Sequence, residues 1–185
     1  IVTIGDNKCG KTSLINTFIN NEFSNKFSSY SIFENYNKKI FFKEPLQKLA
    51  INFKFWDVSG HEDFDRMRPL IYADVQIILI CFAINNTNSF NSILEKWIPE
   101  IENYCPNIPI ILLGLKSDLR KTNSDYDSDP YINNNKQGDR LIEYEKCIEL
   151  SKQINSKFYI ECSAKEMYHI HKIFDLVAKI IISKE

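Results

Sequence analysis

The chain has 185 residues, 44% of them hydrophobic and 25% charged, with a formal net charge of -1. This balance suits one domain with its own core; it offers no whole-molecule field for nucleic acid, and no apolar run reaches the eighteen or so residues of a membrane span. The five cysteines, Cys9, Cys81, Cys105, Cys147 and Cys162, show no CxxC pair and there is no signal-peptide pattern, which fits reduced thiols in a cytoplasmic setting.

The chain opens on the apolar run IVTI, read as a strand, without an initiator methionine, and it stops at IISKE. Trimmed ends are therefore expected, and the lack of a C-terminal lipidation box carries no weight. GDNKCGKTS follows at residues 5 to 13, where Gly5, Gly10, Lys11 and Thr12 fit the spacing GxxxxGK(S/T). After a strand and before the helix-compatible KTSLINTFI, that spacing aims backbone N–H groups and a helix N-terminus at phosphate oxygens. Lys11 then reaches the terminal phosphates and the Thr12 hydroxyl binds Mg²⁺.

YNKKIFFKE and LAINFKFW are predicted to be two strands joined by a short connection carrying Pro45, a hairpin that puts one strand antiparallel in the sheet. In FWDVSGHEDFDRMRPL, Asp57 ends a strand and suits Mg²⁺ through water, while the backbone of Ser59 and Gly60 can meet a γ-phosphate. VQIILICFA is another apolar strand. Phe90, Ile93, Leu94, Trp97, Ile98 and Ile101 then recur three or four apart, as one buried helix face requires. LLGLKSDLR ends a strand with Asp118, able to accept from both guanine N1–H and the exocyclic amine, and with Lys116, able to lie over the base. Residues 120 to 140 are polar, contain Pro130 and Gly138, and read as a surface insertion. ECSAK, residues 161 to 165, ends a further strand and offers the Ala164 N–H to guanine O6. Ile170, Ile173, Phe174, Val177 and Ile181 form a last helix face. The alternation is α/β, with a mainly parallel sheet covered on both faces. Heavy use of Asn, Ile and Lys, densest in INNTNS and INNNKQ, reads as the imprint of a genome rich in A and T.

In this order the blocks resemble a Ras-superfamily small GTPase. FENY at 33 to 36, FWDVSGHEDFDRMRPL, CFAI, EKWIPEI, CPNIPIILLG, DLR and the long interval from Asp118 to ECSAK make the resemblance that of the Rho family. It covers the chain from Ile1 to about Ile182. It implies a single phosphate-loop (P-loop) G domain over 1 to 185 with a Rho-type insert at about 120 to 140, built on a six-stranded mainly parallel sheet with one antiparallel strand. It implies GTP or GDP and Mg²⁺ as ligands. The nucleotide set would be Gly5, Asp6, Asn7, Lys8, Cys9, Gly10, Lys11, Thr12, Ser13, Gly60, Lys116, Asp118, Leu119, Ser163, Ala164 and Lys165, and the metal set Thr12, Ser31 and Asp57. Phe33, Glu34, Asn35, Tyr36, Trp56, Asp63 and Arg66, with Arg68, resemble the family's effector and exchange-factor contacts. The family also implies effectors, exchange factors, a dissociation inhibitor, work on the actin cytoskeleton, a monomer, and attachment to the cytoplasmic face of the plasma membrane through a lipidated tail absent from this chain.

Several positions depart from the family pattern. Asn7 replaces a glycine where the loop passes the γ-phosphate, and it is expected to obstruct an activator's arginine finger, worth about 10³–10⁵ in rate. His61 stands at the water-orienting glutamine. With Lys11, these make up the catalytic set, and Asn7 plus His61 are expected to slow hydrolysis, each lost contact costing about 10²–10³. Lys8 reads either as a solvated side chain or as a cation supplied in cis to the phosphates. Leu115 cannot make the polar tie to the phosphate loop that the family's Asn or Thr makes. Tyr30 replaces a proline, and a one-residue insertion leaves Ser31 as the choice for the switch I hydroxyl, with Ser29 behind it. Cys9 reads as packing or as an oxidisable thiol. His169 and His171 read as surface residues, and the insert is weak in helix formers.

Three rivals stay open: a normally cycling GTPase in which His61 holds the water, a phosphate-loop kinase, which should show a lid of clustered arginines, and an interaction module whose nucleotide site has decayed. The retained Lys11, Thr12, Asp57 and Asp118 argue against the last.

Overall fold

The computed structural model describes residues 1–24, 33–43, 48–120 and 141–183, with side chains described at all of these except 33, 42, 43, 48 and 49. Ser29, Tyr30 and Ser31 and the insert from 121 to 140 lie outside the described residues. One six-stranded sheet runs in the order β2-β3-β1-β4-β5-β6. Its strands are β1 (Val2–Ile4), β2 (Phe33–Lys43), β3 (Lys48–Val58), β4 (Ile78–Ala83), β5 (Ile110–Leu115) and β6 (Phe158–Cys162). Every pairing is parallel except β2 with β3, whose register runs from Phe33 opposite Val58 to Lys43 opposite Lys48. The predicted hairpin is therefore present.

The strand sequences follow from where each strand lies. ILICFA of β4 is buried at every position, as a central parallel strand covered on both faces must be. On the edge strand β2, Asn35, Asn37, Lys39 and Phe41 are exposed while the residues between them are half-buried, the period of two that one covered face imposes.

On one face α1 (Lys11–Asn20) and the final helix pack together, with Phe18 and Phe174 stacked at 3.7 Å over Phe53 and Phe55. The Lys38 ammonium closes the C-terminal end of α1 by donating to the carbonyls of Phe18 and Ile19. On the other face the helical run from 87 to 104 buries Ile93, Trp97 and Ile101 against Val2, Ile4, Ile80 and Phe82. That run is α2 (Thr87–Ser92), a π turn (Ile93–Trp97) and α3 (Ile98–Tyr104). Pro99 explains the interruption: its ring clashes with the carbonyl four residues back and it has no N–H, so the helix widens and Ile98 donates to Ile93 instead. The widened turn rotates Leu94 out to 39% exposure, against its predicted place in the core. Helices α4 (Tyr144–Gln153) and α5 (Ile170–Ile182) complete the two layers, and α5 buries Ile170, Ile173, Phe174 and Val177 as its spacing predicts, while Ile181, in the last turn, is half-buried. Among the described residues no helix is long and apolar enough to cross a membrane.

The ends of the insertion meet: Arg120 is held by the Glu161 carboxylate at 2.5 and 2.6 Å and donates to the Ile142 carbonyl at 2.9 Å.

Candidate functional site

The candidate residues collect beyond the C-terminal ends of the parallel strands, where open α/β sheets bind ligands. Gly5 to Gly10 leave β1 and enter α1, whose N-terminus carries no side-chain cap. Its first-turn N–H groups are thus available to an anion. Gly5 takes φ +142°, and a Cβ there would meet the Cys81 carbonyl at 2.0 Å, so the loop approaches β4 too closely for any side chain. Lys11 is 6% exposed, and its ammonium donates to the carbonyls of Gly5 and Asp6, both at 2.8 Å. A cation is thereby fixed under the loop, and among the described residues no carboxylate neutralises it by hydrogen bond. Asn7 and Lys8 are exposed at the crest, and Lys8 holds a left-handed φ of +62°. Thr12 and Ser13 are half-buried. Cys9 is 1% exposed, and burial pushes its thiol pKa up, so it packs and is not poised as a reactive thiolate.

From the end of β3, Asp57 accepts from the Thr12 hydroxyl at 2.5 Å through Oδ2. Its Oδ1 is buried without a partner among the described residues. Burial raises the Asp57 pKa, with Glu34, opposite it on β2, adding like charge, while the Thr12 bond and Lys11 act against the shift. A raised carboxyl pKa means that the folded state binds more protons than the unfolded one between the ordinary carboxylate range and the raised value. Stability therefore falls as pH rises through that window. In metal-free protein at pH 7, Asp57→Asn is expected to be at least as stable as the parent, and Mg²⁺ should raise the melting temperature of the nucleotide-loaded parent alone. Differential scanning calorimetry with and without Mg²⁺ checks both statements. Among the described residues no group of three His, Cys, Asp or Glu is placed to hold a metal by itself.

Gly60 lies against the loop: a Cβ there would fall 2.3 Å from the Gly5 carbonyl oxygen and 2.8 Å from the Asn7 nitrogen. His61 is not aimed at the loop by any hydrogen bond. Its Nδ1 lies 3.1 Å from the Asp63 carboxylate and 3.4 Å from the Asp63 N–H, capping the short turn Glu62–Phe64. Glu34 accepts from the Tyr36 hydroxyl, Asn35 is exposed, Trp56 is half-buried beside the Lys54 ammonium, and Asp63 and Arg66 are exposed. The Phe33 side chain is outside the description.

The base-binding candidates sit on the other side of the loop. Lys116, at φ +65°, donates from Nζ to the Lys8 carbonyl at 3.1 Å, tying the two loops together. The polar link that Leu115 cannot make is thus supplied one residue later. Leu115 itself packs under Gly10, its Cδ1 3.3 Å from where a Cβ would stand. Ser163 is buried and donates to Asp118 Oδ1 at 2.7 Å while accepting the Glu166 N–H at 3.1 Å, so it orients the carboxylate. Leu119 is half-buried against the core, Ala164 is half-exposed and Lys165 exposed. His169 is not a bare surface residue: it stacks on Tyr168 at 3.8 Å and meets the Glu161 carbonyl at 2.9 Å, whereas His171 is exposed at the edge of Phe18.

The side chains of Asp6 and Arg68 are engaged inside the fold. The Asp6 carboxylate accepts from Trp97 Nε1 and from the Ser92 hydroxyl, both at 2.8 Å, so that only its backbone serves the loop. Arg68, expected among surface contacts, is fully buried. It donates to Glu100 at 2.7 and 2.9 Å, to the Ser59 carbonyl at 3.1 Å and to Asp65, and it lies 4.8 Å from the Trp97 ring centroid. Glu100 is the residue that sequence reasoning missed. Its spacing of three from Trp97 on one helix face was the available signal.

A strand, phosphate-cradling loop and helix, followed by an acid at the end of β3 and an orienting serine behind Asp118, define a phosphate-loop nucleotide-binding domain. The Ras family model matches residues 1–183. The chain is 33% identical to the human Rho-related GTP-binding protein RhoD over 184 residues, covering 99% of this chain and 82% of that protein. It is 37% identical to the GTP-binding protein rho4 of Schizosaccharomyces pombe, again over 184 residues, covering 100% and 86%. The chain belongs to the Ras family of small GTPases, among its Rho relatives.

Proposed function

We propose that this protein is a Rho-like guanine-nucleotide switch that binds GTP and GDP with Mg²⁺, signals to effectors through residues around 26 to 36 and 57 to 70, and hydrolyses GTP slowly. The observation that carries the reading is the convergence of the Lys11 ammonium, the uncapped N-terminus of α1 and the Thr12–Asp57 pair beside a carboxylate, Asp118, already oriented by Ser163. The partnerless buried Asp57 Oδ1 fits a dication. Thr12 and Asp57 would hold Mg²⁺, together with a switch I hydroxyl for which Ser31 is our choice, and the ion would supply positive charge against the phosphates. Lys11 supplies a fixed positive charge, Asp118 selects guanine and Lys116 covers the base. Order in the two switch segments follows the third phosphate.

Slow hydrolysis rests on two side chains. Asn7 projects at the loop crest next to Gly60, where an activator would insert its arginine. His61 is engaged with Asp63. Attachment to the cytoplasmic face of a membrane, through a tail beyond this chain, belongs to the same proposal.

The test is the nucleotide extracted from freshly purified protein, followed as bound GTP decays with Mg²⁺ present. Mostly intact GTP is expected, with Asn7→Gly plus His61→Gln raising the single-turnover rate by about 10²–10³. Mostly GDP in the parent would show that His61 is a competent substitute and that Asn7 is tolerated. Absence of any nucleotide would favour a decayed interaction module.

A further inference from the structure

Asp6, Trp97, Arg68 and the backbone at 59 and 60 close a ring. The Asp6 carboxylate accepts the Trp97 N–H at 2.8 Å, and the face of the same indole carries the Arg68 guanidinium at 4.8 Å. Arg68 holds the Ser59 carbonyl at 3.1 Å, and the next residue, Gly60, is packed on the Gly5 carbonyl and the Asn7 nitrogen, the two neighbours of Asp6. Trp97 and Arg68 are both fully buried, so the donor side of each link is shielded from water, while the acceptors Asp6 and Ser59 are half-buried. Glu100 and the Tyr72 hydroxyl, 2.5 Å apart, hold the guanidinium in place from the far side. The π turn contributes the aim of the indole, since it lies in the widened stretch that Pro99 forces.

The geometry points to Asp6 and Trp97 as positioning residues that hold the 59–60 backbone in register with the phosphate loop and thereby set the preference for a nucleoside triphosphate over a diphosphate. This rests on the nucleotide-switch reading above, in which a third phosphate meets that backbone. The physical reason is that Gly60 has no side chain with which to anchor itself, and a glycine backbone is costly to order. The ring does this ordering from outside, before any ligand arrives. Phosphates nearer the base are cradled by the N-terminus of α1 and by Lys11, whose ammonium is held by the Gly5 carbonyl as well as by that of Asp6 and so keeps an anchor when the Asp6 side chain loses Trp97. Breaking the ring should therefore weaken only the contact that a triphosphate makes and a diphosphate does not.

Trp97→Phe is the direct test, because it keeps an aromatic face under Arg68 and removes only the indole N–H. Dissociation constants for GDP and for a non-hydrolysable GTP analogue are measured by titration with Mg²⁺ present. The expected result is an unchanged GDP constant and a GTP-analogue constant raised about tenfold, within the roughly 5–150-fold span of coupled sites. Asp6→Ala gives a second reading should Trp97→Phe fold poorly: it removes the acceptor and should lower the preference in the same way, whereas Asp6→Asn, which keeps an acceptor oxygen for the indole, should retain most of it. A spectroscopic check uses the fact that the chain has two tryptophans. In a Trp56→Phe background, Trp97 emission should shift when GDP is exchanged for the GTP analogue. Equal weakening of both nucleotides in Trp97→Phe, or no change in either, overturns the proposal and leaves the ring a structural prop. Failure of the parent to bind either nucleotide overturns instead the switch reading on which it rests.

Discussion

Arg68→Met is expected to cost about 3–5 kcal/mol of stability, the usual consequence of removing one partner from a buried ion pair. Glu100 would keep its charge with its side chain only 11% exposed and with the Tyr72 hydroxyl as its remaining donor in this network. The Ser59 carbonyl would lose its donor as well. For a domain of this size that corresponds to a melting temperature roughly 6–20 °C lower. The loss should come from the orphaned acid more than from the missing arginine, so Arg68→Met combined with Glu100→Gln should recover a large part of it, since an apolar or neutral replacement of a whole buried pair is often tolerated. Urea unfolding of parent, single and double variants in the same excess of GDP measures all three. A change under about 1 kcal/mol in the single variant, the level of an exposed pair, would refute the buried clamp.

Lys11→Met is expected to act the other way round, with little effect on the fold and a large one on the ligand. The ammonium is buried but held only by the carbonyls of Gly5 and Asp6, apart from a 3.9 Å approach to the Cys9 sulfur. No carboxylate loses a hydrogen-bond donor when it goes, only Asp57 a nearby positive charge, and the linear methionine side chain fits the same channel. The phosphates, in contrast, would lose a fixed cation in a water-poor site, where removing one partner of a charge pair costs roughly 2–5 kcal/mol, about 30- to 4,000-fold in affinity. Titration with GDP and with a GTP analogue, alongside thermal unfolding of the nucleotide-free protein, separates the two effects. Unchanged affinity for both nucleotides would remove Lys11 from the site.

Much of the fold is legible because its instructions are local. The phosphate loop is written in nine consecutive residues, and its glycines stand where a Cβ would strike Cys81 or where the chain turns left-handed. The hairpin is announced by two β-prone runs around Pro45. The last helix is announced by a spacing of three and four that α5 keeps. Leu94 shows the limit of such patterns. Its spacing is correct for an ideal helix, but a proline five residues later changes the helix from 3.6 residues per turn to a wider one, and the side chain leaves the core.

The candidate site divides in the same way. Residue type and spacing along the chain mark Gly5, Gly10, Lys11, Thr12, Asp57 and Asp118, because each belongs to a contiguous motif whose backbone geometry is set by its immediate neighbours. Partner choice among polar side chains is not marked. Asp6 and Trp97 are 91 positions apart, Arg68 and Glu100 are 32 apart, and Ser163 finds Asp118 across 45 residues. An arginine in a polar stretch reads as a surface residue until a sheet and a helix close over it. A buried polar group must be satisfied by whatever donor or acceptor the packing brings near. Local order was therefore decided by chain sequence, while the ring around Gly60 was decided by the tertiary fold, since burial alone determines which charges need partners and only the packed layers determine which partners they meet.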